Sequence, residues 1–455
     1  MSVVPIEDVR VAAASPTPRR GLVLLRGASA QAMLALGDQA VVSGTSFLAC
    51  VCVGRWAGNN ELGWYALAFS VVVLLTCALE SLVMTPYLVL AGRTPGVERA
   101  RYAGSILLQF VALAALAMVL LAVVAIGVAG YGPRQFAIVL ALLVPIVPCT
   151  LLREFARRFA YAHLKLRVAL AMDMAIALLQ IGMLLALARV GLLSAATALV
   201  SLGVSSAIVA AAWLSVAHRD WTIRRADFWP SAQKNWHFGR WVFLALMALM
   251  LQANVVPWLL AGRIGPAATG VFAACLTIIQ FANPLIQGIS NWLVPAAARA
   301  YERAGVRGVR HVVNRTALLL CAVIGALAVV VIAVGDQLAS LLYDRDFAPH
   351  HALIALLGIA MLARAWGMAA YNGLIAIERP QGNLLVNILG LAITMAAAPL
   401  GLAVGGLTGA AAGLLAGDIA SAACRWLLYW FETSRLTAIH ASIISRNPAG
   451  LTVSV

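Results

Sequence analysis

Long apolar runs separated by short polar connections set the pattern of this chain, and the few polar positions inside the runs recur at helical rather than alternating spacing. A helix needs about 20 apolar residues to cross a hydrocarbon layer roughly 30 Å thick. Runs of that order occupy residues 30–53, 62–91, 102–131, 135–160, 168–189, 193–217, 238–262, 267–297, 312–343, 348–377, 381–402 and 404–430. Inside a bilayer no water bonds the backbone, so elements that satisfy their own N–H and C=O groups are expected. The pattern predicts an all-α, polytopic membrane protein of about twelve transmembrane helices. Composition agrees, since 63% of residues are hydrophobic and 11% charged, with a mean hydropathy of +0.94, far from the balance of a water-soluble domain.

A net charge of +15 would alone suggest nucleic acid. Its placement changes that picture. Of the 32 Lys and Arg residues, 26 fall in alternate connections between the predicted spans, including Arg153, Arg157 and Arg158, the group from Arg299 to Arg315, and Arg425; five fall in the opposite set and Arg364 inside a span. The excess of basic residues on cytoplasmic loops then places both termini in the cytoplasm. The charge reads as topology plus contact with anionic membrane lipids, and no nucleic-acid partner is expected. Seven cysteines lie in the spans without metal-ligand spacing, so neither a disulfide framework nor a metal site is expected. The expected organisation is a disordered cytoplasmic tail (1–27), a first six-helix lobe (28–217), a cytoplasmic inter-lobe loop (218–237), a second six-helix lobe (238–430) and a cytoplasmic tail (431–455).

An internal repeat supports two lobes. "GNNELGWYALAFS" (58–70) and "GPAATGVFAACLT" (265–277) align without a gap at an offset of 207, matching Gly58 with Gly265, Gly63 with Gly270 and Tyr65 with Phe272. The same offset places "ARRFAYA" (156–162) on "ARAWGMA" (363–369), so that Arg157 meets Arg364. The offset spans an even number of predicted helices. Both halves therefore share one orientation, which is a parallel repeat about an axis along the membrane normal.

These residues resemble the multidrug, oligosaccharidyl-lipid and polysaccharide exporter superfamily, in which a Gly-x-x-x-x-Gly-x-aromatic-Ala pattern follows the first helix of each lobe. "DQAVVSGTSFLACVCVGRWAG" (38–58) and "REFARRFAYAHLKLRVALAMD" (153–173) are most similar to its bacterial polysaccharide flippase branch. The resemblance implies two six-helix lobes in a V and alternating access. It implies movement of an undecaprenyl-diphosphate-linked oligosaccharide across the inner membrane for surface or exopolysaccharide synthesis. A proton or sodium ion is the expected coupling ion, and a glycan polymerase and glycosyltransferases are the expected partners. Drug-exporting relatives use carboxylates on the first and fifth helices, to which Asp38 and Asp173 correspond by helix number.

Polar residues inside spans are costly, about 2.5 to 3.5 kcal/mol for a mid-bilayer charge on insertion scales, so they tend to face a bundle interior or a cavity. Gln39, Ser43 and Ser46 share one helical face with Asp38 at its border. That face is either a cation-coupling site or an interhelical hydrogen-bond cluster. Gln280, Asn283, Gln287 and Asn291 form a stripe expected to line a central cleft, with Gln252 and Asn254 extending it and Glu80 joining it as the repeat counterpart of Gln287. Trp258 is either a face on which a sugar stacks or an interface anchor. Arg364 is isolated in apolar helix. A guanidinium fits phosphate oxygens in bidentate fashion, which makes Arg364, with Arg157, a candidate diphosphate hook; the alternative is an ion pair with Asp418 or Asp38. His350 and His351 beside Asp344 and Asp346 read as a solvated loop before a metal site.

No Walker A, HExxH or nucleophile-elbow pattern occurs, so no enzyme activity and no cofactor is expected. A proton- or sodium-coupled drug or metabolite antiporter of the same fold is the alternative to a flippase. A membrane polymerase would need a large outer loop that the spans leave no length for.

Overall fold

The computed structural model describes residues 18–91, 96–280, 282–343, 350–379 and 381–446, and their side chains apart from those of 18–32, 291 and 439–446. All regular structure among them is helical: α1 (Pro18–Ala57), α2 (Asn59–Leu90), α3 (Gly96–Tyr131), α4 (Arg134–Ala162), α5 (Leu166–Arg189), α6 (Ala195–Ala217), α7 (Phe228–Arg263), α8 (Pro266–Gln280), α9 (Asn283–Tyr343), α10 (His351–Ala376) and α11 (Gly382–Arg446). Ten helices among the described residues are long and apolar enough to cross a membrane. Twelve runs become ten because two pairs are joined across kinks, at Ala304 and Gly305 in α9 and at Gly406 in α11, while the run at 267–297 divides into α8 and the start of α9. The fold is a polytopic all-α bundle. Large apolar side chains such as Val404 and Ile126 face outward, 93% and 74% exposed, as a hydrocarbon environment allows.

Gly406 reverses the chain into a hairpin. Gly401 lies on Gly409, Gly413 on Ala398 and Gly417 on Thr394, so small residues four apart let two helical arms approach to backbone contact. In α9, Gly308 comes back against the Ala300 carbonyl across the kink, so the arms 283–303 and 306–343 also fold back on each other. Within α2 a π-helical turn spans Glu80–Met84, where Thr85 N–H reaches back to the Glu80 carbonyl. Pro86 follows; lacking an N–H and crowding the carbonyl four residues back, it favours such a widened turn just before it.

The two copies of the repeat meet face to face. Gly58 and Gly265 both have positive φ, 88° and 126°, a conformation glycine adopts without a steric penalty. A turn further on, a Cβ at Gly63 would strike the Pro266 carbonyl and a Cβ at Gly270 the Asn59 carbonyl. Pro266 aligns with Asn59, so the contact is reciprocal, as a two-fold axis between the halves requires. Trp258 Nε1 donates to Ser70 Oγ at 3.0 Å beside this crossing, and its ring meets Phe136 edge-on at 5.7 Å. Trp258 thus ties the halves together and does not offer a free sugar-stacking face.

Boundaries differ from the expected ones. α1 begins at Pro18, inside the tail expected to run to 27; α7 begins at Phe228, inside the expected inter-lobe loop; and α11 continues to Arg446 through the expected C-terminal tail. These segments are too polar for a span but retain helix-forming composition, and a helix need not end where the hydrocarbon does. Residues 1–17 and 447–455 lie outside the described residues.

Candidate functional site

Away from the crossing lies a cavity of about 1120 Å³ walled by both halves. Its first-half wall includes Gln39, Glu80, Arg153, Glu154, Arg157, Arg158, Asp173 and Gln180; its second-half wall includes Gln252, Asn283, Gln287, Arg364, Tyr371, Asp418 and Arg425. Both repeat-related arginines are therefore on it, as are Glu80 and its counterpart Gln287.

The first-half wall is an ion-pair network built on α4. Arg153, Glu154, Arg157 and Arg158 stand three and four residues apart, on neighbouring faces of the helix. Arg157 Nη2 bonds Asp38 Oδ2 at 2.8 Å and its Nε lies 2.8 Å from Asp173 Oδ2, joining α1, α4 and α5. Tyr161 donates to the same Asp38 oxygen at 2.7 Å. Arg153 Nη2 takes Asp173 Oδ1 at 2.9 Å, and Arg158 holds both Glu80 and Glu154 at 2.9 Å. Asp38 is 1% exposed and sits behind Arg157, so it does not form the cavity surface, whereas Asp173 does. Four carboxylates share three guanidiniums here.

On the second half the balance reverses. Asp418 accepts from Arg364 Nε at 2.8 Å and from Gln252 Nε2 at 3.1 Å. Arg425 donates to Asn387 at 2.6 Å, and its guanidinium carbon lies 5.8 Å from the centre of the Tyr371 ring. The Arg364 side chain is 37% exposed; with Nε engaged, its two terminal nitrogens have no partner among the described residues. One carboxylate thus faces two guanidiniums, one of them presenting an unfilled fork to the cavity.

Other expected positions fall elsewhere. Asn254 turns its amide onto the Met250 carbonyl of its own helix at 2.7 Å and is not on the wall. Gln280 is exposed at the end of α8, off the wall, because the break before α9 rotates it out of the stripe. The Asn291 side chain lies outside the described residues. His351 Nδ1 meets Asp336 Oδ2 at 2.6 Å, while Asp344 and Asp346 lie outside the described residues. Sequence reasoning assigned Arg153, Arg157, Arg158 and Arg425 to connections. The structure puts them in helices on the cavity wall, where carboxylates or an amide offset the cost of leaving water. The signal was present in "REFARRF", whose acid sits one and three to four residues from three bases.

Neither a family model nor a curated protein sequence matches the chain. Solved structures do match in fold. An inward-facing multidrug resistance MATE family transporter of the MOP superfamily is 15% identical, covering 90% of this chain and 96% of its own, with a TM-score of 0.69. An outward-facing conformation of such a transporter is 14% identical, covering 90% and 95%, with a TM-score of 0.66. A MOP superfamily transporter from Pyrococcus furiosus, described as having a binding pocket of reversed polarity, is 14% identical, covering 89% and 95%, at 0.65. At these identities the likeness is one of fold: a two-lobed MATE-like bundle.

Proposed function

We propose that the chain is an alternating-access transporter whose cargo is a phosphate-bearing, lipid-linked saccharide, moved from the cytoplasmic to the outer leaflet of a bacterial inner membrane. The observation that carries this reading is Arg364, partly exposed on the cavity wall with a planar pair of N–H donors free. Arg425 lies on the same wall. A diphosphate offers the matching acceptors, and charge-assisted bidentate bonds are the strong ones. Amides of Gln39, Gln180, Gln252, Asn283 and Gln287 around the cavity suit sugar hydroxyls. Glycosyltransferases would supply such a substrate, and a polymerase would consume it.

A cation-coupled antiporter of drugs is the second reading, favoured by the four carboxylates of the first half. Those carboxylates already hold three arginines, whereas the free donors stand on the second half, which favours an anionic cargo. Coupling to a proton or sodium ion at Asp38 and Asp173 would require Arg157 to leave them, so Asp38→Asn should make flipping insensitive to an imposed gradient.

The direct test is flipping of a labelled undecaprenyl-diphosphate oligosaccharide in proteoliposomes. Arg364→Ala should slow it about 10- to 100-fold, the equivalent of losing a charged hydrogen bond worth about 1.5 to 3 kcal/mol; Arg364→Lys should recover part, because an ammonium lacks the fork. Wild-type flipping by Arg364→Ala, or transport of organic cations with no movement of the lipid, would overturn the reading in favour of the antiporter.

A further inference from the structure

A second concavity lies away from the central cavity, at the kink of α9. It has a volume of about 610 Å³ and is lined by Ala296, Arg299, Ala300, Arg303, Ala304, Arg307, Gly308, His311 and Val312. On a straight helix Ala296 and Val312 would stand about 24 Å apart. They line one space because the backbone leaves helical geometry at Ala304 (φ −136°) and Gly305 (φ 57°), folding the arms toward each other. The bend gathers four basic side chains four residues apart onto one concave face.

Arg299, Arg303, Arg307 and His311 are exposed, and none has an acidic partner among the described residues; the Arg299 Nε is turned to the Pro295 carbonyl of its own helix. Their neighbour Arg310 points elsewhere, binding Thr433 and Ser434 of α11 at 3.0 and 2.8 Å, so the ladder is a selected subset and not a general basic coat. Like charges crowded this way repel unless a counter-charge sits among them. The floor is different: Ala296, Ala300, Ala304 and Val312 are apolar. Trp292, 57% exposed one helical turn before the site, is the residue type that settles at the level of lipid headgroups.

We infer that this concavity is a binding site for the phosphate headgroup of an anionic membrane lipid, with the arginine ladder on the phosphate and the alanine floor under the glycerol and first chain carbons. A basic rim over an apolar floor fits an amphiphile better than a free anion, and basic residues at a membrane surface contribute about 1 kcal/mol each toward anionic lipid. The site is separate from the central cavity and does not depend on what that cavity transports.

The test uses purified, delipidated full-length protein, titrated with phosphatidylglycerol, with phosphatidylcholine, or with inorganic phosphate alone, and bound lipid counted by native mass spectrometry. Wild type should retain phosphatidylglycerol in preference to phosphatidylcholine. Arg303→Gln/Arg307→Gln should cut that preference about 30-fold, the effect of two such contacts. Arg303→Lys/Arg307→Lys should keep most of it, which separates loss of charge from loss of fold. Inorganic phosphate should not displace the lipid. An unchanged preference in the Gln pair overturns the inference, as does an equal loss in Arg224→Gln/Arg225→Gln, an exposed pair outside the concavity. Displacement by inorganic phosphate at comparable concentration would assign the site to a free anion instead.

Discussion

Arg157→Met tests whether the network on α4 holds the first half together. The substitution keeps the stem and removes a guanidinium whose side chain is 10% exposed and which touches Asp38, itself 1% exposed. Asp173 would retain Arg153, and Glu154 would retain Arg158, but Asp38 would keep only the Tyr161 hydroxyl among its described partners. Stranding one partner of a buried pair costs about 3–5 kcal/mol. The contrast within the same helix is Arg158, paired to Glu80 with both side chains about 30% exposed; screened by solvent, that pair is worth roughly 1 kcal/mol or less. Unfolding of the purified protein against rising sodium dodecyl sulfate fraction, followed by helicity, measures both. Adding Asp38→Asn to Arg157→Met should return about 1–3 kcal/mol of the loss, a coupling typical of contacting residues. The reasoning fails if Arg157→Met unfolds within about 0.5 kcal/mol of wild type, or if the double variant is no more stable than the single.

Gly63→Ala and Gly270→Ala should each cost about 1–3 kcal/mol of contact between the halves, and by symmetry should do so about equally; interlobe distances from paired spin labels should lengthen at the crossing in both, and a large effect in one with none in the other would count against reciprocal packing. His163 lies between α4 and α5, its Nδ1 2.9 Å from the Phe159 carbonyl and its ring 4.2 Å from that of Phe159. Burial pushes its imidazole below the ordinary value, with Arg99 and Lys165 acting in the same sense and the Phe159 carbonyl and Asp220 against them. The fold therefore prefers the neutral ring. Its contribution is complete above the ordinary value of about 6.5 and is lost as pH falls below it, so His163→Gln should flatten the decline in unfolding midpoint between about pH 7 and pH 5.

The spans were legible because hydropathy reports a solvent, and α3 or α5 needs nothing else to be recognised. The repeat was legible at Gly58 and Gly265, where backbone conformation demands glycine in both copies. The network was half legible. Arg157 and Arg364 stood out through the repeat, yet Arg153 and Arg158 passed for loop charges because a count of basic residues takes no account of the carboxylates beside them. Asp38 drew notice as a lone acid, but its partner lies 119 positions away, a separation no local pattern encodes. Gln280 was misplaced for the opposite reason: a regular stripe assumes a continuous helix, and the break between α8 and α9 interrupts it.

The reciprocal seating of Gly63 on Pro266 and Gly270 on Asn59 is the contact two identical subunits make about a dyad. Here both partners belong to one chain. A dimer's affinity must outlast dilution in the membrane, but tethered partners meet at an effective concentration fixed by their connection. Such a surface can afford to be weak, since two helices resting on glycines can part completely and still find the same partner on return.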